Sequence, residues 1–297
     1  MNAYFATIGF FDGVHVGHQF LLSQLKTLAE QAHTKSLVIT FENHPREVLC
    51  PAKEQKMLST FEERIQLLRQ SNVDDIKILH FTKEMAQLTA SQFMQDVLQP
   101  LCVKGLLLGF NNGFGSDRHL SFEELRKQGA VSGITLVKGH ELDTKSQVSS
   151  THIRQLVYNK HIEEANTLLG YAYTLQGTVV AGKQIGRTMG FPTANLSVDE
   201  HKLLPADGVY FGRVVVPDSS TEYAALVNIG VRPTVDNSGK RTIEVHLLHY
   251  SDNLYGKKIK VYLDTYWREE HTFSTINELA QQLEHDRETC ENYYMKQ

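Results

Sequence analysis

The segment Thr7–Leu22, TIGFFDGVHVGHQFLL, brings together residue types suited to phosphate chemistry. His15 and His18 project from one turn, while Gly13 and Gly17 let the backbone approach a ligand closely. Gly9 ends a short apolar run that begins at Tyr4, and His18 opens a stretch with Leu21, Leu25, Leu28, Ala29 and Ala32 at helical spacing. A strand, a turn and a helix N-terminus in this order aim backbone N–H groups at a phosphate, where the two imidazoles add further donors. Two plainer readings stay open for the histidines: surface or capping residues, or a metal pair with no third ligand nearby in sequence. HxGH occurs by chance, but much less often directly after an apolar strand and at the head of an amphipathic helix, so the nucleotide reading is favoured.

A second candidate runs from Gly182 to Leu196, GKQIGRTMGFPTANL. It is no Walker A loop, because no GK[ST] follows four spaced residues. Lys183 and Arg187 flank Gly182 and Gly186 and can neutralise phosphate charge, while Thr193 and Asn195 offer hard oxygen ligands suited to Mg²⁺ shared with ATP. By itself the stretch reads as a Gly/Pro-rich hairpin loop. Further on, Ile243, Val245 and Leu247 alternate to one face of a strand and leave Glu244 and His246 on the other. A strand glutamate is most often simply solvated.

The elements around these residues follow two rhythms. In the first half strands alternate with helices: SLVITF (36–41), Ile76–Phe81, Val103–Gly109 and Ile134–Val137 are strand-like. Between them Thr60 with Glu63, Thr89 with Gln92 and Ser121 with Glu124 are capping-box pairs that open helices. Strands separated by helices of this length imply right-handed βαβ crossovers and a parallel sheet. From Tyr173 onward the period shortens to LQGTVVAG, GVYFGRVVV, YAALVNIG, RTIEVHLL and KIKVYLDTYW, with Gly, Pro and Asn between, as in an antiparallel barrel or sandwich. A final helix carries an Ile276, Leu279, Ala280, Leu283, Arg287 stripe expected to pack on that barrel, and the boundary is expected near Gly170.

Composition narrows the classes. A length of 297 residues suits two domains, and 41% hydrophobic with 22% charged residues is ordinary for a globular chain. A formal charge of −4 makes no electrostatic case for nucleic acid or a membrane surface as partner. Cys50, Cys102 and Cys290 form no CxxC pair, which argues against disulfides and fits a reducing, cytoplasmic compartment. The apolar start MNAYFATIGFF lacks a basic leader and reads as a buried strand, and no apolar run reaches the ~18 residues of a membrane span.

The string from Gly9 to His18 resembles the HxGH adenylyltransferase superfamily, and its FMN adenylyltransferase module in bifunctional riboflavin kinase/FAD synthetases in particular. FENHPREVL (41–49), LGFNNGFG (108–115) and VSSTHIR (148–154) match further along. GRTMGFPTAN, GVYFGRV, NIGVRPTV, IEVHLL, LYGKKIKVYL and WREEHTF resemble, in order, the riboflavin kinase family. The resemblance implies a Rossmann-like α/β nucleotidyltransferase domain over 1–169, then a six-stranded antiparallel Greek-key barrel with a C-terminal helix over 170–297. It implies phosphorylation of riboflavin to FMN and adenylylation of FMN to FAD, with ATP as substrate, FMN and FAD as products and Mg²⁺ as cofactor. His15 and His18 would stabilise charge, and Glu244 would accept the riboflavin hydroxyl proton. The same resemblance assigns Gly9, Phe11, Asp12, Gly13, Gly17, Ser150, Thr151, Arg154, Gly182, Lys183, Gly186 and Arg187 to ATP. It assigns Thr193 and Asn195 to ATP and metal, and His44, Asn111 and Arg268 to the flavin. The chain departs from the family pattern at Asn112, Gln147, His249, Asn253 and Trp267, the last offering an indole face to an isoalloxazine ring. Two rivals remain, a flavin-sensing relic and a kinase whose first domain is inactive; persistence of His15, His18, Thr193, Asn195 and Glu244 speaks against both.

Overall fold

The computed structural model describes residues 2–52, 55–109, 114–117, 119–143, 148–182, 190–217, 221–231 and 241–296. The chain divides into two compact units, 1–150 and 151–297. The first holds β1 (Tyr4–Ile8), α1 (Val16–Gln31), β2 (Lys35–Phe41), α2 (Pro45–Leu49), α3 (Phe61–Gln70) and β3 (Asp75–Leu79). It continues with α4 (Lys83–Gln87), α5 (Ala90–Phe93), β4 (Val103–Leu108), α6 (Phe122–Val131) and β5 (Thr135–Lys138). The strands form one parallel sheet in the order β3-β2-β1-β4-β5. Phe5, Val38 and Leu107 pack on one side with Leu22 and Leu25 of α1 and Ile65 and Leu68 of α3. Ala6, Ile39 and Leu106 pack on the other side with Phe93, Met94 and Leu125. Burial on both faces is why β2 and β4 read as continuous apolar runs instead of alternating.

All three capping boxes form: Thr60 with Glu63, Thr89 with Gln92, and Ser121 with Glu124. Each satisfies two otherwise orphaned donors at a helix start, so helix entry is specified locally. The box at Thr89 opens only the short α5, which passes directly into a π-helical turn at Met94–Leu98.

The division falls after the first residue of α7 (Ser150–Tyr158), and the second unit continues with α8 (Ile162–Leu169), β6 (Tyr173–Val180), β7 (Ala194–Val198), β8 (Gly208–Val215), β9 (Glu222–Val231), β10 (Arg241–Leu247) and β11 (Lys258–Arg268). These strands close a barrel in the order β10-β7-β6-β11-β8-β9. Strands β8, β9 and β10 are hairpin neighbours and β11 returns beside β8, which is Greek-key connectivity. Strand β7 begins within the stretch that reads as loop from Gly/Pro content; its ladder partners on both sides override that signal. Asn166 of α8 donates to the Leu263 carbonyl at 2.9 Å and accepts from Tyr173 N–H at 2.7 Å, tying α8 to the barrel.

The chain closes with α9 (Ile276–Met295). Of the expected stripe, Ile276 is 72% exposed while Leu279, Ala280, Leu283 and Arg287 are half-buried, and the fully buried positions are Asp286 and Cys290. Cys290, Tyr293 and Tyr294 pack with Val209, Phe211, Leu226, Leu248 and Trp267, so the helix docks through its C-terminal half. A buried carboxylate at the contact hid this face from a reading based on apolar spacing.

Candidate functional site

In the parallel sheet, β1 hydrogen-bonds to β2 on one side and β4 on the other, so the strand order reverses beside it. Ligands of open α/β sheets bind at the carboxyl ends of strands at such a switch point. The turn leaving β1 there is held in unusual backbone: φ is 59° at Phe11, 75° at Gly13 and 36° at Val14. Positive φ is unfavourable for Phe and for β-branched Val, and persists only when surroundings over-determine it. Asp12 supplies that determination. Its buried carboxylate accepts from the N–H groups of Leu58 and Ser59 at 3.0 and 3.1 Å, and its carbonyl accepts from Ser150 Oγ at 3.0 Å. Gly13 N–H donates to Ser59 Oγ at 2.9 Å. The Asp12 carboxylate is therefore engaged in building the turn.

His15 is the N-cap of α1, and its Nδ1 accepts from His18 N–H at 3.3 Å, which leaves its proton on Nε2. A Cβ at Gly17 would meet the His15 ring at 3.3 Å, so glycine gives the imidazole room to lie over the helix start. The His15 and His18 rings stack with centroids 3.7 Å apart and planes at 16°. Stacking and capping occupy the pair in a way that two ligands converging on one ion would not be. Burial, and then repulsion from His15, holds the His18 pKa well below its ordinary 6.5, so the ring is neutral at neutral pH. Its Nδ1 is buried with no hydrogen-bond partner among the described residues.

Beside the turn lies a cavity of about 230 Å³ whose lining includes Gly9, Phe10, Phe41, Phe81, Phe93 and Phe114. Phe41 and Phe81 meet edge to face at 5.3 Å, as do Phe93 and Phe114 at 5.8 Å. This aromatic wall escaped sequence reading because its members come from separate strand ends and loops. His44 caps α2 through Nδ1 and stands 4.3 Å from the Phe10 ring. Ser150 reaches the turn; Thr151 is exposed and Arg154 half-buried on α7, beyond the limit of the first unit. Asn111, Asn112 and Gln147 lie outside the described residues, as do Lys183, Gly186 and Arg187.

The barrel joins its candidate residues through strand register. Asn195 of β7 stands opposite Glu244 of β10, which stands opposite Asn228 of β9. Asn228 pairs with Val209 of β8, and Val209 with Arg268 of β11. Glu244 and Arg268 thus lie three strands apart along the wall of the closed barrel. Ile243, Val245 and Leu247 are buried, leaving Glu244 and His246 on the opposite face as alternation requires. A Cβ at Gly182 would come within 2.0 Å of Asn195 Nδ2, so glycine admits the Asn195 amide against the backbone. Thr193 lines a cavity of about 450 Å³ together with Tyr250, Asp252, Asn253 and Tyr255. His246 Nδ1 donates to the Pro192 carbonyl at 2.9 Å and tethers the turn before Thr193; burial lowers its pKa and keeps it neutral.

Arg268 is held by Asp286, whose carboxylate accepts from Arg268 Nε at 3.0 Å and Nη2 at 2.6 Å. Asp286 also accepts from Trp267 Nε1 at 3.1 Å and Gln282 Nε2 at 2.9 Å. Trp267 stacks on Phe211 with centroids 5.0 Å apart, so one face of its indole belongs to the barrel–helix contact. His249 faces Glu291 at 3.3 Å, and Asn253 Oδ1 accepts from Tyr255 N–H at 2.9 Å in a turn. Asn228 and Asp286 are the residues sequence reading missed. Asn228 alone left a signal, a polar residue on a strand whose alternate positions are apolar.

An HxGH helix start at the switch point of a parallel sheet, followed by a Greek-key barrel carrying PTAN beside a strand glutamate, defines a two-domain nucleotide-dependent transferase. The FAD synthetase family matches residues 2–152 and the riboflavin kinase family residues 169–294. Bifunctional riboflavin kinase/FMN adenylyltransferase of Listeria monocytogenes is 32% identical over 97% of this chain and 92% of its own length. The namesake from Escherichia coli K12 is 34% identical over 97% and 92%. A crystal structure described as a macrolide-efflux protein from Streptococcus pneumoniae has a TM-score of 0.88 and 31% identity over 98% of this chain and 95% of that one. Among the described residues, no helix is long and apolar enough to cross a membrane. The chain belongs to the bifunctional riboflavin kinase/FMN adenylyltransferase family, with the FAD synthetase domain N-terminal and the riboflavin kinase domain C-terminal.

Proposed function

We propose that the chain makes FAD from riboflavin in two ATP-dependent steps, on the residues assembled above, in the cytoplasm and without nucleic-acid or membrane partners. Phosphoryl transfer is assigned to 170–297 and adenylyl transfer to 1–169; the family matches, ending at 152 and beginning at 169, support that division.

At the barrel, the riboflavin 5′-hydroxyl oxygen bonds to the γ-phosphorus of ATP, ADP leaves, and Glu244 takes the hydroxyl proton. The cavity beside Thr193 suits the nucleotide. Asn195, opposite Glu244 in register, and Thr193, two residues before it, are hard oxygen donors that fit Mg²⁺ and would hold it. When bound, the ion neutralises phosphate charge. Lys183, Gly186 and Arg187 are proposed to bind phosphate from the loop after Gly182, and Arg268 to contact the flavin.

At the sheet, an FMN phosphate oxygen bonds to the α-phosphorus of the second ATP and pyrophosphate leaves. Positioning and charge stabilisation do most of the work in such displacements. His15 and His18 are the proposed stabilisers, with the turn from Gly9 through Gly17, and with Ser150, Thr151 and Arg154, around the phosphates. A nearby polyanion raises the pKa of an imidazole. Nucleotide binding therefore recruits His18 toward its charged form. The aromatic cavity takes the isoalloxazine ring, with His44 and Asn111 at its rim.

The observation that carries this reading is the stacked histidine pair at a helix N-terminus, beside an aromatic cavity, at the sheet's switch point. Chromatographic product analysis with riboflavin, ATP and Mg²⁺ tests it. FMN and then FAD are expected, and both vanish when the metal is chelated. Recovery of riboflavin alone in the presence of Mg²⁺ overturns the reading.

A further inference from the structure

Arg64 is the largest fully buried side chain among the described residues, 1% exposed in the middle of α3. Its Nη2 donates to the carbonyl of Phe41, at the end of β2, and approaches that of Glu42 at 3.4 Å. The guanidinium carbon lies 3.7 Å from the centroid of the Phe10 ring and 5.7 Å from that of Phe61. Burial lowers its pKa to about 10, with Asp12 and then Glu47 pulling the other way, so the side chain is charged at neutral pH. Its Nε is buried with no hydrogen-bond partner among the described residues.

This is an expensive way to fill a core. A buried cation with an unsatisfied donor is typically matched or bettered in stability by an apolar side chain of similar shape. What the arginine does that an apolar residue cannot is bond a carbonyl and lie over an aromatic face at the same time. Both of its principal contacts belong to residues lining the 230 Å³ cavity, Phe10 from the β1 turn and Phe41 from β2. Phe10 also touches His44, so the guanidinium, Phe10 and His44 follow one another toward the rim.

We propose that Arg64 is a positioning residue for the flavin site of the adenylyltransferase unit, holding the Phe10 and Phe41 walls at the spacing an isoalloxazine ring requires. The proposal rests on reading that cavity as the flavin site. Arg64 reaches the flavin only through these walls, so it governs FMN affinity and leaves the phosphate chemistry at His15 and His18 alone.

The test uses the full chain and FAD formation at saturating ATP. Arg64→Met should raise KM for FMN about tenfold, the scale of losing a desolvated cation–π contact with its hydrogen bond. The kcat should stay near that of the parent, and riboflavin phosphorylation in the same sample should be unchanged. Arg64→Lys, which keeps charge without the planar fork, should fall between the two. Phe10→Leu should raise KM similarly, and Arg64→Met combined with Phe10→Leu should cost little more than either alone. Phe81→Ala, at another residue of the lining, tests the cavity reading separately. An unchanged KM in Phe81→Ala and Phe10→Leu sinks the flavin reading. A raised KM there beside an unchanged KM in Arg64→Met sinks only the role of Arg64. A fall in kcat at constant KM also overturns it. If Arg64→Met does not fold, the Arg64→Lys and Phe10→Leu values decide by the same criteria.

Discussion

The two units solve the same problem, holding a nucleotide phosphate beside a flavin, with opposite sequence logic. The parallel sheet places its polar groups by local geometry: one strand end, a turn with positive φ at Phe11, Gly13 and Val14, and one helix start carry both histidines. The barrel places Asn195, Glu244 and Asn228 by cross-strand register, from three different strands. A local device survives changes elsewhere in the unit, whereas a register device depends on every ladder between its members. The first unit should therefore lose activity at a point without losing its fold. In the second, the candidate residues depend on the pairing of the barrel strands.

The largest expected effect is at the local device. His18→Ala should reduce FAD formation from FMN by ~10²–10³, the scale of removing one preorganised donor, with riboflavin phosphorylation intact. A variant that makes FAD normally ends the assignment of His18. Glu244→Gln is expected to reduce riboflavin phosphorylation by ~10², the low end for a general base because the transition state is loose. Riboflavin affinity and FMN adenylylation should persist. If affinity falls along with rate, Glu244 is a ligand contact instead of a base.

Asp286→Ala sharpens the comparison through stability. It strands Arg268, whose side chain is 17% exposed, and should destabilise the second unit by about 3 kcal/mol. The chain has one tryptophan, Trp267, which donates to Asp286, so indole emission reports this junction alone. Denaturant unfolding followed by that emission should shift while activity loss in FAD formation keeps its midpoint. A common shift of both would mean that the units unfold as one.

The smallest effect concerns pH. His18 binds a proton near 6.5 when unfolded and only well below that when folded, so acid favours the unfolded state. Its contribution is complete above 6.5 and is lost as pH falls from there toward the folded value. His18→Gln should flatten the acid loss of stability in the first unit, measured as melting midpoints at pH 7.5 and 5.5. His246 is lowered in the same direction in the other unit, so its slope should remain in that variant. Identical slopes for parent and His18→Gln would show that another group titrates there.

Much of the architecture was legible in residue order. The three capping boxes, the strand–turn–helix around HxGH and the alternation that turns Glu244 away from Ile243 and Val245 are local, and local preferences act over three or four residues. Resemblance extended that reading to a six-stranded barrel, including β7, whose Gly- and Pro-rich approach concealed a strand. Only the tertiary structure decided where the apolar and charged groups found their partners. Asp12 turned inward to brace the β1 turn, and Trp267 went to Phe211 and Asp286. Helix α9 buried Asp286 and Cys290 more deeply than its apolar stripe, and five phenylalanines from distant segments came to line one cavity. Those outcomes depend on which surfaces remain to be covered once strands have paired, and a buried charge is tolerated wherever an opposite charge and its hydrogen bonds arrive together. Neither condition is written in the spacing of neighbouring residues.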